Sequence, residues 1–234
     1  SAPTIAKRFQ AIGVESTAEN RRAYRALLLS APGLGAYISG VILFEETLAQ
    51  KTDDGRLLPA AAWEQRIVPG IKVDKGKIPL ALSPGDEITQ GLDGLAQRLA
   101  GYREQGARFA KWREVYTIGK HLKVQPKAGP ETVAAATLRV LRRTVPAAVP
   151  SIHFLSGGQG PEEATANLNA LNRSAGSPPW RLSLSYGRAL QQPALHAWGG
   201  KSGNVQAAQL ALLKRARLNS LAMQGSYTAE MEND

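Results

Sequence analysis

Five short, mostly apolar runs recur along the chain, and segments with helical spacing separate them. Nearly continuous apolar runs of this length are typical of strands that are buried on both faces of a parallel sheet. Their alternation with helices predicts an α/β fold, organised as a single domain over residues 1–234. The five predicted strands are Tyr37–Phe44, Ile67–Asp74, Ala107–Val115, Ser151–Gly157 and Arg181–Gly187.

Between these runs, apolar residues return every three or four positions, which predicts helices. Ser16–Glu19 has the spacing of a capping box in front of one helix. A second helical pattern starts at Gln90 and uses Leu92, Leu95, Leu99 and Tyr102. Further helices are predicted over Glu131–Arg143, after Pro161, and from about Asn204 to Gln224, where Gly225 ends the pattern.

Two of the predicted strands carry charges on one face. Lys72 and Asp74 alternate with apolar residues in the second run, and Lys111 and Arg113 do so in the third. Because an isolated buried charge is very costly, these side chains must pair or meet a ligand. The structural alternatives are an edge strand with a wet face or an internal lysine–aspartate pair. The functional alternative is a pocket for an anionic substrate, where crowded like charges lower the pKa of a lysine amine.

Glycine-containing turns follow the last two predicted strands. Ser156-Gly157-Gly158 leads to Pro161 and a helix start, so several backbone N–H groups can converge there on one anion. An ordinary tight turn gives the same pattern. Gly187-Arg188 follows the last strand and adds a planar guanidinium donor. In a (β/α)8 barrel, the loops after the last two strands often form a phosphate site.

The composition narrows the choice of partner. The chain has 29 Lys and Arg against 19 Asp and Glu, which gives a net charge of +10 and indicates anionic partners. The basic residues are scattered and do not alternate with aromatic ones, so small phosphorylated ligands are favoured over a specific nucleic acid. The chain has no cysteine, and its three histidines lie far apart, so no metal site is expected. No apolar run reaches the roughly 18 residues of a membrane helix, so no membrane partner is expected.

Six motifs follow one another along the chain: GIKVDKG (Gly70–Gly76), TQGLDGL (Thr89–Leu95), FAKWR (Phe109–Arg113), FLSGGQ (Phe154–Gln159), SYGRAL (Ser185–Leu190) and AWGGK (Ala197–Lys201). IAKRF, ENRRAYR and GVILFEETL precede them near the start. Together, and over nearly the whole chain, these segments resemble the class I, Schiff-base fructose-1,6-bisphosphate aldolases. The resemblance implies a (β/α)8 TIM barrel, of which this chain supplies about five strands, and a homotetramer in the cytoplasm or plastid stroma.

The resemblance also implies an activity and site residues. The family cleaves fructose 1,6-bisphosphate reversibly to dihydroxyacetone phosphate and glyceraldehyde 3-phosphate, through a lysine imine and without a metal or other cofactor. These reactions serve glycolysis, gluconeogenesis and the Calvin cycle. By resemblance, Lys111 is the catalytic proton-shuttle lysine, and Lys72, Asp74 and Arg113 bind substrate near it. The residues expected to bind phosphate are Ser156, Gly157, Gly158, Gly187 and Arg188 at one site, and Thr4 and Arg8 near the other.

The chain also departs from the family pattern. No segment resembles GTLLKPxMVTPG, which carries the imine lysine, or VPIVEPEI, which carries the acid/base glutamate. The aspartate of the family's first strand is missing as well, and Lys123 in HLKVQPKAG does not inherit the imine role. A barrel needs eight strands, and only five are predicted. We therefore expect that pieces are missing before Ser1 and between about residues 119 and 127. The alternative is a shortened, catalytically inactive protein of aldolase ancestry that binds phosphosugars or assembles with partners.

Overall fold

The computed structural model describes residues 2–114 and 127–233. The chain divides into two compact units, Ser1–Gln125 and Pro126–Asp234. None of the described helices is both long enough and apolar enough to cross a membrane. The helices of the first unit are α1 (Ala2–Gln10), α2 (Ala18–Leu29), α3 (Glu45–Leu48), α4 (Leu58–Glu64) and α5 (Leu95–Glu104). Its strands are β1 (Gly40–Leu43), β2 (Val68–Lys72), β3 (Gly76–Pro79), β4 (Glu87–Gln90) and β5 (Phe109–Lys111).

The first unit is built on a parallel sheet with the strand order β1-β2-β5. One face of this sheet is buried: Leu43, Ile71 and Val73 are at most 6% exposed, and α4 packs against β2. The opposite face carries Ile42, Gly70 and Phe109, and here Ile42 is 40% exposed and Phe109 is 39% exposed. The prediction that these strands are buried on both faces is therefore wrong for this sheet, because no described element of the unit covers the second face.

The helix α2 begins where its sequence provides a cap. The hydroxyl of Thr17 accepts a hydrogen bond from the backbone N–H of Asn20 at 3.1 Å, so Thr17 is the N-cap residue and the capping motif starts one position after Ser16. The helix buries Tyr24 and Leu27, and the ring of Tyr24 contacts that of Phe9 edge-on, with 5.7 Å between the ring centroids. The helix predicted after this capping motif is confirmed.

The helix predicted from Gln90 begins five residues later. Gln90 is the last residue of β4, and Leu92 is 69% exposed. Gly91 has a φ of +119° and Gly94 a φ of +63°, so the backbone cannot continue as a right-handed helix before Leu95. The antiparallel hairpin of β3 and β4 was not predicted, although the Pro84-Gly85 dipeptide between its strands is a turn signal.

The second unit contains a parallel pair, β6 (Ser151–Phe154) with β7 (Arg181–Leu184). Two buried clusters join these strands to the helices: one centres on Leu138, Leu171 and Trp180, and the other on Leu168 and Leu218. The prediction of parallel strands in the order helix, strand, helix, strand is confirmed here. The helices of this unit are α6 (Pro130–Thr144), α7 (Pro161–Ser174), α8 (Arg188–Trp198) and α9 (Val205–Met223), followed by a short 3-10 helix, Ala229–Glu232.

Two glycines of the first unit give a matched test of this packing. A Cβ atom placed on Gly35 would lie 1.7 Å from the backbone carbonyl oxygen of Gln65, whereas a Cβ on Gly101, inside α5, would meet nothing within 4 Å. We expect Gly35→Ala to lower the free energy of unfolding by about 1–3 kcal/mol, because the backbone must move. Gly101→Ala should raise it by about 0.5–1 kcal/mol through helix propensity. Urea unfolding of both variants measures this, and equal effects would contradict the packing described.

Candidate functional site

The cations predicted on the strands of the first unit lie side by side. Lys72 is the register partner of Lys111 across the parallel pair β2 and β5, and each is the last residue of its strand. Because partners in register point to the same side of a sheet, both amines extend from one face at its carboxyl edge. Asp74 follows two residues after Lys72 and points to the same side. The sheet therefore brings Lys72, Asp74 and Lys111 together, as predicted.

Lys72 and Asp74 form a close ion pair. The Nζ atom of Lys72 lies 2.6 Å from Oδ1 of Asp74 and also donates to the backbone carbonyl of Asp74 at 2.7 Å. The Asp74 side chain is 1% exposed, and its second oxygen, Oδ2, has no hydrogen-bond partner among the described residues. The internal lysine–aspartate pair considered from the sequence is thus present, and it leaves one buried acceptor open.

Lys111 is the amine of this cluster that forms no ion pair with any described residue. It is half-buried, and none of the ion pairs within residues 2–114 and 127–233 involves it. Burial lowers the pKa of Lys111, the Asp74 carboxylate opposes that shift, and the charges of Arg113 and Lys72 lower it further. The expected direction is confirmed, but desolvation contributes more than the crowding by Lys72. A lysine with a lowered pKa can exchange its proton more readily near neutral pH.

The β3–β4 hairpin braces the carboxyl edge of this sheet. The hydroxyl of Thr89 donates to the backbone carbonyl of Arg113 at 2.9 Å, and Arg113 itself is exposed. Arg98, on α5, donates to the carbonyl of Val73 at 3.0 Å and also to that of Gly91. The role of Arg98 was not predicted, since a lone arginine in a helical pattern carries no sequence signal for such a contact.

In the second unit, the glycine turn follows β6 directly. Ser156 is 7% exposed, Gly157 and Gly158 have φ angles of +58° and +96°, and the N–H of Gln159 donates to the carbonyl of Ser156 at 2.9 Å. Gly160 then caps α7. Left-handed glycines in front of a helix start let backbone N–H groups face one point, which is the geometry of an anion site.

The second glycine turn lies next to the first. A Cβ atom on Gly158 would stand 3.6 Å from the Nη2 atom of Arg188, so the guanidinium lies beside this turn. Arg188 begins α8 directly after Gly187, is exposed, and takes part in none of the ion pairs of the described residues. The hydroxyl of Tyr186 donates to the carbonyl of Ala164 at 2.7 Å, which ties this turn to the first turn of α7. The role of Tyr186 was not predicted.

The remaining predicted residues lie elsewhere or outside the described part of the chain. Thr4 and Arg8 are one turn apart on α1, so they share a face of that helix. Burial raises the pKa of the Tyr24 hydroxyl, and the charge of Arg8 opposes that rise. Lys123 and the proposed break near residues 119–127 fall outside the described residues, apart from Lys127 itself. Within the described ranges, no three His, Cys, Asp or Glu side chains cluster as metal ligands would.

Comparison with known proteins identifies a matching family model and several related proteins. The family model described as "Fructose-bisphosphate aldolase class-I" matches residues 1–126 and residues 120–234. The chloroplastic fructose-bisphosphate aldolase 1 of Chlamydomonas reinhardtii is 45% identical over 308 aligned residues, covering 98% of this chain and 81% of that protein. The cytosolic fructose-bisphosphate aldolase 4 of Arabidopsis thaliana is 41% identical, covering 99% and 79% of the two chains.

A solved structure matches as well. It is a ternary complex of fructose-bisphosphate aldolase from Plasmodium falciparum with TRAP and a small-molecule inhibitor. The TM-score is 0.89 at 37% sequence identity, and the match covers 98% of this chain and 89% of that one.

The charge environment of Lys111 can be tested by removing one neighbour. Because the Arg113 guanidinium lowers the pKa of Lys111, we expect Arg113→Gln to raise that pKa. The control is Arg103→Gln, which removes the same charge from α5, where it does not contribute to the Lys111 pKa. An NMR titration of 13C-methylated lysines measures both, with the Lys111 signal assigned by Lys111→Arg. An unchanged or lowered pKa in Arg113→Gln would contradict this electrostatic description.

Proposed function

Because this chain belongs to the class I fructose-bisphosphate aldolase family, we propose that its strand-borne lysines and its two glycine turns carry separate parts of that family's reaction. The family fold is the (β/α)8 barrel, and the enzyme is an aldehyde-lyase. Its reaction cleaves fructose 1,6-bisphosphate reversibly to dihydroxyacetone phosphate and glyceraldehyde 3-phosphate.

Lys111 is proposed as the proton-shuttle residue of this reaction. Cleavage of the carbon–carbon bond needs an electron sink, which an imine on a lysine supplies, and a group that moves a proton at the reacting oxygen and carbon. Lys111 suits the second role, because burial and neighbouring cations lower its pKa more than the Asp74 carboxylate raises it, and Lys111 forms none of the ion pairs among the described residues. The register that sets Lys111 beside Lys72 carries this proposal.

Lys72, Asp74 and Arg113 are proposed to contact substrate around that lysine. Asp74 fixes the Lys72 ammonium through the 2.6 Å ion pair and keeps one buried oxygen free to accept a hydrogen bond, as a sugar hydroxyl could donate. Arg113 is exposed at the strand end, where a guanidinium can bind an anionic group.

A phosphate is proposed to bind at the adjoining glycine turns of the second unit. Ser156, Gly157 and Gly158 offer backbone donors at the start of α7, and Arg188, directly after Gly187, reaches the side of Gly158. A guanidinium without a protein counter-ion among the described residues is a suitable partner for a phosphate dianion. Thr4 and Arg8, on one face of α1, are proposed near the other phosphate of the substrate.

We propose further that an internal segment is missing near residues 119–127 and that it carries the imine lysine and the acid/base glutamate. The alignment with the Chlamydomonas protein spans 308 positions, 74 more than the 234 residues of this chain, so at least 74 positions face no residue here. The two family-model matches meet at residues 120–126. Both observations support a gap at this point of the chain, and Lys123 is not proposed as a substitute for the missing lysine.

The remaining proposals, on assembly and compartment, rest on the family and on the matched relatives. A homotetramer is proposed as the assembly, because that is the state that the family resemblance implies. The compartment is proposed to be the plastid stroma or the cytosol, as the matched relatives are named chloroplastic and cytosolic.

Imine trapping tests the proposed gap. When the 234-residue chain is treated with dihydroxyacetone phosphate and borohydride, we expect no stable lysine adduct, since the imine lysine lies in the missing segment. The protein isolated from its natural source should form the adduct and have a mass well above 25.0 kDa. An adduct on the 234-residue chain would contradict the gap. A natural mass of 25.0 kDa without any adduct would instead support the shortened phosphosugar-binding protein.

Phosphate binding at the glycine turns is tested by Arg188→Ala. The loss of one charge-assisted hydrogen bond should weaken binding of dihydroxyacetone phosphate by about 1.5–3 kcal/mol. Isothermal titration calorimetry measures it, and Arg181→Ala, which removes an exposed arginine at the opposite end of β7, is the matched control. Equal affinity in the wild type and Arg188→Ala would remove Arg188 from the proposed phosphate site.

A further inference from the structure

A buried arginine lies beneath the start of α7, in the second unit. Arg215, in the middle of α9, is 3% exposed. Its Nη1 atom contacts both carboxylate oxygens of Glu232, at 2.5 and 2.6 Å, and its Nη2 atom donates to the carbonyl of Pro161 at 3.1 Å and to the hydroxyl of Thr165. Pro161 and Thr165 bound the first turn of α7, which we call the anchor turn (residues Pro161–Thr165).

Further contacts hold the anchor turn from two sides. The Thr165 hydroxyl lies 2.9 Å from the carbonyl oxygen of Pro161 and 2.8 Å from the side-chain oxygen of Asn219, on α9, and its single proton is donated to one of these two acceptors. Tyr186, in the turn after β7, donates to the carbonyl of Ala164 at 2.7 Å. The glycine turn after β6 is continuous with the anchor turn through Gly160. Both turns of the proposed phosphate site are therefore fixed to the same helical turn.

The counter-ion of Arg215 comes from the C-terminal segment, residues 226–232. Glu232 lies in the 3-10 helix Ala229–Glu232, and its backbone carbonyl accepts from Lys214. The hydroxyl of Tyr227 donates to Glu232 at 2.9 Å, and the backbone N–H of Tyr227 donates to the side-chain oxygen of Asn169, on α7, at 3.0 Å. Tyr227 also packs on Leu168 and Leu218. This segment thus closes over Arg215 and ties α9 to α7.

We infer that Arg215 and Glu232 are positioning residues for the phosphate site, through which the C-terminal segment holds the anchor turn and its two glycine turns in place. The inference rests on the proposed phosphate site. Its physical basis is that a buried guanidinium needs its counter-ion: without Glu232, the acceptors that Arg215 keeps among the described residues are neutral, and the guanidinium is drawn toward water. Such a movement releases the bonds to Pro161 and Thr165 and lets the first turn of α7 shift.

The test compares two glutamates of the same short helix. Glu232→Gln removes the charge that faces Arg215, whereas Glu230→Gln removes an equal charge from an exposed side chain that does not contact Arg215. We expect Glu232→Gln to weaken binding of dihydroxyacetone phosphate roughly tenfold, since small displacements of binding groups have large effects. Amide hydrogen exchange over residues 157–165 should accelerate in Glu232→Gln. Glu230→Gln should change neither quantity.

A milder variant keeps the test informative if Glu232→Gln does not fold. Tyr227→Phe removes one hydrogen bond to Glu232 and retains the ring, so binding should weaken by about two- to threefold. Weaker binding with faster exchange confined to the anchor turn and the glycine turns supports the inference. Unchanged affinity, or exchange that accelerates throughout residues 127–233, overturns it. Absence of binding in the wild type would instead refute the proposed phosphate site.

Discussion

A charged side chain that leaves bulk water must find a partner, and this requirement governs the chemically active parts of both units. In the first unit, the deeply buried Asp74 pairs with Lys72, while the half-buried Lys111 forms none of the ion pairs among the described residues. In the second unit, Arg215 is matched by Glu232, while Arg188 stays exposed beside a glycine turn. Each of these two clusters thus contains one ion pair and one further cation, Lys111 or Arg188, that takes part in none of the ion pairs of the described residues, and both cations belong to the proposed site.

The ion-paired side chains act on the rest of each cluster over short distances. Asp74 raises the pKa of Lys111 while Lys72 lowers it, and parallel register fixes these separations. Arg215 reaches the glycine turns through the backbone of a single helical turn. Elements behind the strand ends thus position them: α5 and the β3–β4 hairpin contact the strand ends of the first unit, and the C-terminal segment contacts the start of α7 in the second.

Much of the architecture could be predicted from the sequence. The five apolar runs all contain the parallel strands that the structure shows, and the alternation of Lys72 with Asp74 placed both on one face in advance. The predicted start of α5 was wrong because Gly91 and Gly94 adopt positive φ angles, so the helix begins after them. The periodicity of apolar residues contains no information on φ angles. Burial on both faces was predicted from the continuous apolar runs, yet Ile42 and Phe109 are exposed, because burial depends on what covers a strand.

The two glycines of the turn after β6 differ in how freely evolution can replace them. Gly157, with a φ of +58° and open space around its Cα, lies in the region that asparagine and aspartate tolerate. Gly158, with a φ of +96° and the Arg188 guanidinium beside it, lies where side chains are strained. The backbone of this turn therefore accepts an asparagine at position 157 more readily than any side chain at position 158.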